Sequence, residues 1–171
     1  MAPVLADAQP NPSPFTGLGY NPRCLRRDIN PAASRGWTKD SDVVSLITTS
    51  TSILSFQNRL QGDFPSGFLG IHTAGHFTIG GDPGGDLFAS PGDPAFFLHH
   101  AMIDRTYWTW QNQDVEGRKY ALAGTVTVNN RPPSRDAVLG DRIDLGAVGV
   151  PVVTIGGAVD TLGGPFCYTY V

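Results

Sequence analysis

Ile71-His72-Thr73-Ala74-Gly75-His76-Phe77 and, downstream, Asp93-Pro94-Ala95-Phe96-Phe97-Leu98-His99-His100 decide the reading of this chain, and they hold all four of its histidines. His72 and His76 are spaced i and i+4, which on a helix puts both side chains on one face, a turn apart and within reach of one ion. In the second stretch Asp93 is a helix cap and Pro94 suits the first helical position. The apolar pattern then predicts a helix to about Gln113, with Phe97, Ile103, Tyr107 and Trp110 among its core contacts. Neighbouring residues on a helix stand about 100° apart, so His99 and His100 cannot both address one ion. Three of the four histidines can therefore surround a metal held between two helices. Imidazole serves zinc, copper, iron and nickel alike, so the spacing leaves the metal open. An isolated HxxxH is weak evidence, but two histidine pairs so close in sequence favour a metal site.

The surrounding chain is ordinary for a globular domain. It has 171 residues, 40% hydrophobic and 16% charged, enough for a single domain with a sizeable core. A net charge of −3 gives no electrostatic reason to expect nucleic acid or a membrane surface as partner. No apolar run approaches the roughly 20 residues that span a bilayer. Met1-Ala2-Pro3-Val4 lacks the basic start and apolar middle of a signal peptide, so a secreted protein would carry its signal upstream. With 21 glycines and 14 prolines, much of the chain is loop and turn.

Residues 1–38, with six prolines and little periodicity, read as an extended covering segment. Two helices are expected between about residues 40 and 61, capped by Asp40, Ser41 or Asp42 and separated by the serine/threonine run at 48–52. Loops are expected over 62–70 and 80–92. Residues 121–128, 150–155 and 166–171 read as short strands. The fold class is mainly α: an antiparallel helical core carrying the metal site, with small peripheral β-sheets and long loops, in a single domain over 1–171.

Taken together, HxxxH, a loop, and D-P-x-F-F-x-H-H-x-x-x-D-R-x-x-W resemble the second copper site (copper-B) of type-3 copper proteins, the tyrosinases, catechol oxidases and haemocyanins. Asn21-Pro22-Arg23-Cys24-Leu25-Arg26-Arg27-Asp28 and the ending Phe166-Cys167-Tyr168-Thr169-Tyr170 are similar to the short secreted fungal enzymes of that group. The resemblance implies copper, with His72, His76 and His100 as ligands. His99 is then a neighbour that hydrogen-bonds near the site. Phe96, one turn before His100, would be an aromatic over the copper pocket that limits substrate approach; otherwise it is ordinary core. Asp104, one turn after His100, either receives a ligand's N–H or pairs with an arginine.

The resemblance also implies oxidation of phenols by dioxygen at two coppers. This chain supplies one copper, and a copper-A amino-terminal half is the implied partner. In many monophenol-hydroxylating tyrosinases the position of Thr73 is an asparagine that helps a glutamate orient a water. Here Thr73 stands in that place and only the acidic Asp63 lies nearby, which favours o-diphenols as substrates. An arginine among Arg23, Arg26 and Arg27 is implied to lock onto Tyr168 and Tyr170, with a solvated charge run as the alternative. Implied secretion favours a Cys24–Cys167 disulfide; two buried free thiols, or a bridge to a cysteine elsewhere, are the other readings. An oxygen carrier or a mononuclear copper module without turnover is the alternative function. A zinc hydrolase ranks lower, because HxxxH lacks the glutamate of HExxH.

Overall fold

The computed structural model describes residue 22, residues 24–86 and residues 88–171. They divide into two units. One takes its described residues from Met1–Leu46 and Asn58–Thr106, and the other comprises Ile47–Gln57 and Tyr107–Val171.

The first unit is built around helices. Asn30 accepts from the backbone N–H groups of Ala32 and Ala33 at 3.0 and 3.1 Å, and Pro31 takes the first turn, so α1 (Pro31–Trp37) starts here. Helix α2 (Asp40–Thr49) opens with Asp40 and Asp42, where carboxylates suit the amino end of the helix dipole. The chain breaks at residues 50–52 and resumes as α3 (Ile53–Gln61), as the serine/threonine run predicts. Helix α4 (Gly70–Ile79) packs against α1. Ala33, Leu46, Leu60, Ile71 and Ala74 are buried here.

Residues 26–30 run back along the end of α4. Arg26 and Asp82 exchange backbone hydrogen bonds of 2.8 and 2.9 Å, Asp28 donates to Ile79 at 3.1 Å, and Asn30 donates to Thr78 at 2.9 Å. Gly80 and Gly81 make this approach possible. Both have positive φ, 58° and 68°, and a Cβ on either would strike the backbone oxygen of Asp28 or Arg26.

Helix α5 (Ala95–Gln111) is 17 residues long. Its start is held by buried Asp93, whose Oδ1 accepts from the Ala95 N–H at 2.8 Å. The same carboxylate receives both prongs of Arg27, at 3.0 and 2.8 Å. Arg27 holds the Asp93 carboxyl below its ordinary range, an effect that burial opposes.

In the second unit, Trp110 is fully buried and donates from Nε1 to the Ser50 carbonyl at 2.8 Å. Phe56 packs on it, with ring centroids 4.9 Å apart. Helices α6 (Val115–Arg118) and α7 (Ile155–Ala158) are single turns. Strands β1 (Arg142–Ile143) and β2 (Val153–Thr154) pair antiparallel, Arg142 opposite Thr154 and Ile143 opposite Val153. No helix among the described residues is long and apolar enough to cross a membrane.

The mainly helical class with a small sheet and long loops is as the sequence predicts, but several local expectations are corrected. Residues 1–21 and Arg23 lie outside the described residues, and residues 31–37, read as extended, are helical. Of 121–128 only Thr125 bridges, to Asp136, because the chain turns at Gly124 (φ 108°). Residues 166–171 form no strand. Their alternation instead brings the rings of Phe166, Tyr168 and Tyr170 into one succession, 6.1 and 5.6 Å apart, and Tyr170 meets Trp108 at 5.6 Å. Phe97 is 62% exposed rather than core. Cys24 and Cys167 are free and exposed, so the expected disulfide is not formed and the thiols are not buried. Of the arginines expected at the terminal tyrosines, Arg27 is engaged by Asp93.

Candidate metal centre

Helix α4 divides its residues between two faces. Ile71 and Ala74 are buried, while His72 and His76 stand half-buried toward α5. Along this seam His76 meets Phe96, His99 and His100, and His72 meets His99 and His100. All four histidines gather here, each offering a ring nitrogen within 4.8 Å of the others. The Nε2 atoms of His76 and His100 are 3.2 Å apart. Among the described residues no carboxylate joins this set of nitrogens, a composition that suits copper or another imidazole-binding metal better than calcium or magnesium.

Each histidine of α4 has a partner behind it. His72 Nδ1 donates to Gln61 Oε1 at 2.6 Å, which leaves His72 Nε2 with its lone pair for a ligand role. His76 hydrogen-bonds the backbone of Gly84. His99 is different, because its Nε2 donates to the backbone carbonyl of His72 at 2.8 Å.

The site keeps its imidazoles neutral. Burial, then the neighbouring histidines His76, His100 and His99, push His72 down to about 4. His99 is also pushed down to about 4, by burial first and His76 second, against the opposing hydrogen bond to His72. His76 and His100 are lowered as well, burial being the main cause for both. Neutral imidazole is the form that binds metal, so the cluster is ready for an ion at neutral pH without first losing protons.

Of the residues singled out from sequence, His72, His76, His99, His100 and Phe96 are brought together. Phe96 lies on His100 with ring centroids 4.1 Å apart and reaches His76 at 5.9 Å. Thr73 faces away from the cluster's nitrogens, its hydroxyl donating to the Gln61 carbonyl at 2.7 Å. Asp104 is half-buried one turn beyond His100. Sequence reasoning missed Gln61 and the Gly84 backbone. Neither belongs to a motif, and only folding brings the end of α3 and the loop after α4 to these rings.

Known proteins share this arrangement of chain. The family model for the common central domain of tyrosinase matches residues 3–113. Tyrosinase P of Aspergillus terreus is 35% identical over 159 residues, which cover 92% of this chain and 44% of that protein. N-acetyl-6-hydroxytryptophan oxidase ivoB of Emericella nidulans is 35% identical over 167 residues, 93% of this chain and 45% of the relative. Among solved structures, a polyphenol oxidase (mutant G292N) from Thermothelomyces thermophila superposes with a TM-score of 0.86 at 41% identity, covering 99% of this chain and 47% of that one. The chain thus spans less than half the length of these relatives. The histidine seam between α4 and α5 and the central-domain match lead to one assignment: the chain belongs to the tyrosinase family.

Proposed function

We propose that this chain supplies one three-histidine copper site, held by His72, His76 and His100, of a dinuclear centre that oxidises o-diphenols to o-quinones with dioxygen. The convergence of neutral imidazoles from α4 and α5 on one point carries this reading. Bound copper would supply the redox chemistry: two diphenols are oxidised for each dioxygen reduced to two waters. The residues of this chain hold and shape the site. Gln61 orients His72, and the Gly84 backbone orients His76. Phe96, lying on His100, forms a wall against which a phenol ring is positioned and beyond which bulky substituents are refused.

Thr73 favours diphenol over monophenol oxidation. Its hydroxyl is engaged by the Gln61 carbonyl, and the side chain on His72 is a neutral glutamine rather than a carboxylate, so neither is suited to deprotonating a phenol through a water. The second copper would come from a copper-A-bearing amino-terminal half. Support comes from the length of the relatives and from α5, which exposes Phe97, Leu98 and Met102 beside the ligand histidines, an apolar surface suited to a partner. Secretion is part of the same reading, by analogy with the fungal enzymes the chain resembles.

The test is oxygen uptake by the copper-loaded full-length protein with catechol and with a simple monophenol. Rapid uptake with catechol and slow, lagging uptake with the monophenol are expected. Equal rates on both would overturn the diphenol preference, and no uptake by protein with a full copper complement would overturn the oxidase reading.

A further inference from the structure

The ring of His99 lies against α4 at Gly75, a position where the helix has no side chain. Gly75 lies between His72 and His76, and a methyl group built on it would overlap Cε1 of His99, with both ring nitrogens almost as close. The nitrogen-bearing edge of His99 is therefore laid against the α4 backbone. That edge ends in the 2.8 Å bond from Nε2 to the His72 carbonyl. A helical carbonyl already accepts one bond from the N–H four residues on, and its second lone pair is free for another donor. His99 takes that lone pair at the first of the two α4 ligands, in the turn that leads to the second. Its ring lies parallel to His72 (6°, centroids 5.7 Å apart) and nearly perpendicular to His76 (82°, 4.9 Å).

We propose that Gly75 and His99 form a lock between α4 and α5 that sets the helix spacing and so brings His100 opposite His72 and His76, making His99 a positioning residue rather than a fourth ligand. The inference rests on the reading of those three histidines as the copper ligands. Its logic is geometric. With α5 held at this distance by a ring seated on bare backbone, the next residue, His100, projects into the seam. A side chain at position 75 would displace the His99 ring from its seat, and with it the contact that holds His100 opposite the α4 pair. A donor at position 99 aimed at one carbonyl of α4 fixes the sliding register of the two helices.

The test uses the full-length protein and five variants: Gly75→Ala, His99→Phe, His99→Gln, His99→Ala, and the double variant Gly75→Ala/His99→Ala. Copper affinity is measured by competition with a chelator, and the ligand set by the copper X-ray absorption spectrum. Gly75→Ala and His99→Phe should weaken copper binding on the order of 10–100-fold and alter the spectrum. His99→Gln, which keeps an N–H donor of similar reach, should recover most of the affinity and the native spectrum. Thermal melting of the metal-free protein supplies a second readout: adding Gly75→Ala should cost little once His99 is alanine, because the seat is then empty. Native affinity and spectrum in His99→Phe, loss of one coordinated nitrogen in His99→Gln, or additive melting shifts in the double variant would each overturn the lock. Failure of the unmodified protein to take up copper would overturn the metal reading instead, and the melting cycle would still decide whether the lock exists.

Discussion

Helices α4 and α5 each bring two histidines to one seam, and they use them differently. On α4 the pair is four residues apart, so both rings reach the centre, each hydrogen-bonded from behind by Gln61 or by the Gly84 backbone. On α5 the pair is adjacent, so the rings diverge: His100 faces His76 while His99 turns onto the α4 backbone. Spacing along a helix thus sorts identical side chains into different tasks. Two ligands need a full turn between them. On the proposed reading His100 is a ligand and His99 its anchor, and the two can be neighbours because the anchor is hydrogen-bonded to the partner helix.

The strongest way to break this comparison is to remove a ligand from either helix. His76→Ala and His100→Ala should each lose copper by more than about 100-fold, above the range for loss of an outer partner, and oxygen uptake with catechol should vanish. Titration with a competing chelator checks both. If only one of the two matters, the helices do not share the ion.

Next in size is the support behind α4. Gln61→Leu removes the acceptor on His72 Nδ1 while keeping the volume, and should weaken copper binding on the order of 10–100-fold with little change in melting temperature. An unchanged affinity would mean that His72 needs no orienting partner.

A smaller effect is expected at the start of α5. Asp93 is an ion there, held below its ordinary range by Arg27. A carboxyl lowered on folding stabilises the protein above its unfolded pKa, and that stability is lost as pH falls through the folded value. Acid melting curves should therefore show a loss below the ordinary carboxylate range that is diminished in Asp93→Asn. That variant should also melt lower than the native protein at neutral pH, and identical curves would refute the role.

The least disruptive substitutions concern substrate. Phe96→Ala opens the wall on His100 and should admit bulkier diphenols severalfold better by KM, with copper content unchanged. Thr73→Val removes one hydrogen bond to Gln61, worth about 1 kcal/mol in stability, and should leave copper affinity within a fewfold of native.

Much of this seam was legible in the sequence, because helical periodicity and histidine spacing are local. The four histidines gather in one seam, as their spacing predicts, and α2, α3 and α5 follow the apolar pattern and its breaks, with Asp40 and Asp42 inside the first turn of α2 rather than before it. The signal for α1 was also present, as Asn30 followed by Pro31, but the surrounding prolines suggested an extended segment. What could not be read depends on contacts distant in sequence. Gln61 reaches His72 across the loop from α3, and the role of Gly75 exists only because His99 arrives from another helix. Residues 121–128 and 166–171 show why alternation alone overcalls strands: apolar spacing was right in the aromatic tail, yet neither stretch found a partner strand to pair along its length. Phe97 misled for the opposite reason, since an apolar residue on a helix can also face outward.

The central claim is that this chain holds one of two coppers through histidines on both helices. Copper per polypeptide, measured by elemental analysis on protein that carries this chain together with its amino-terminal half, tests it most directly when the native protein is compared with His100→Ala. The account predicts two coppers in the native protein and one in the variant. Two coppers retained in the variant, or a native protein that takes up no copper, would contradict it.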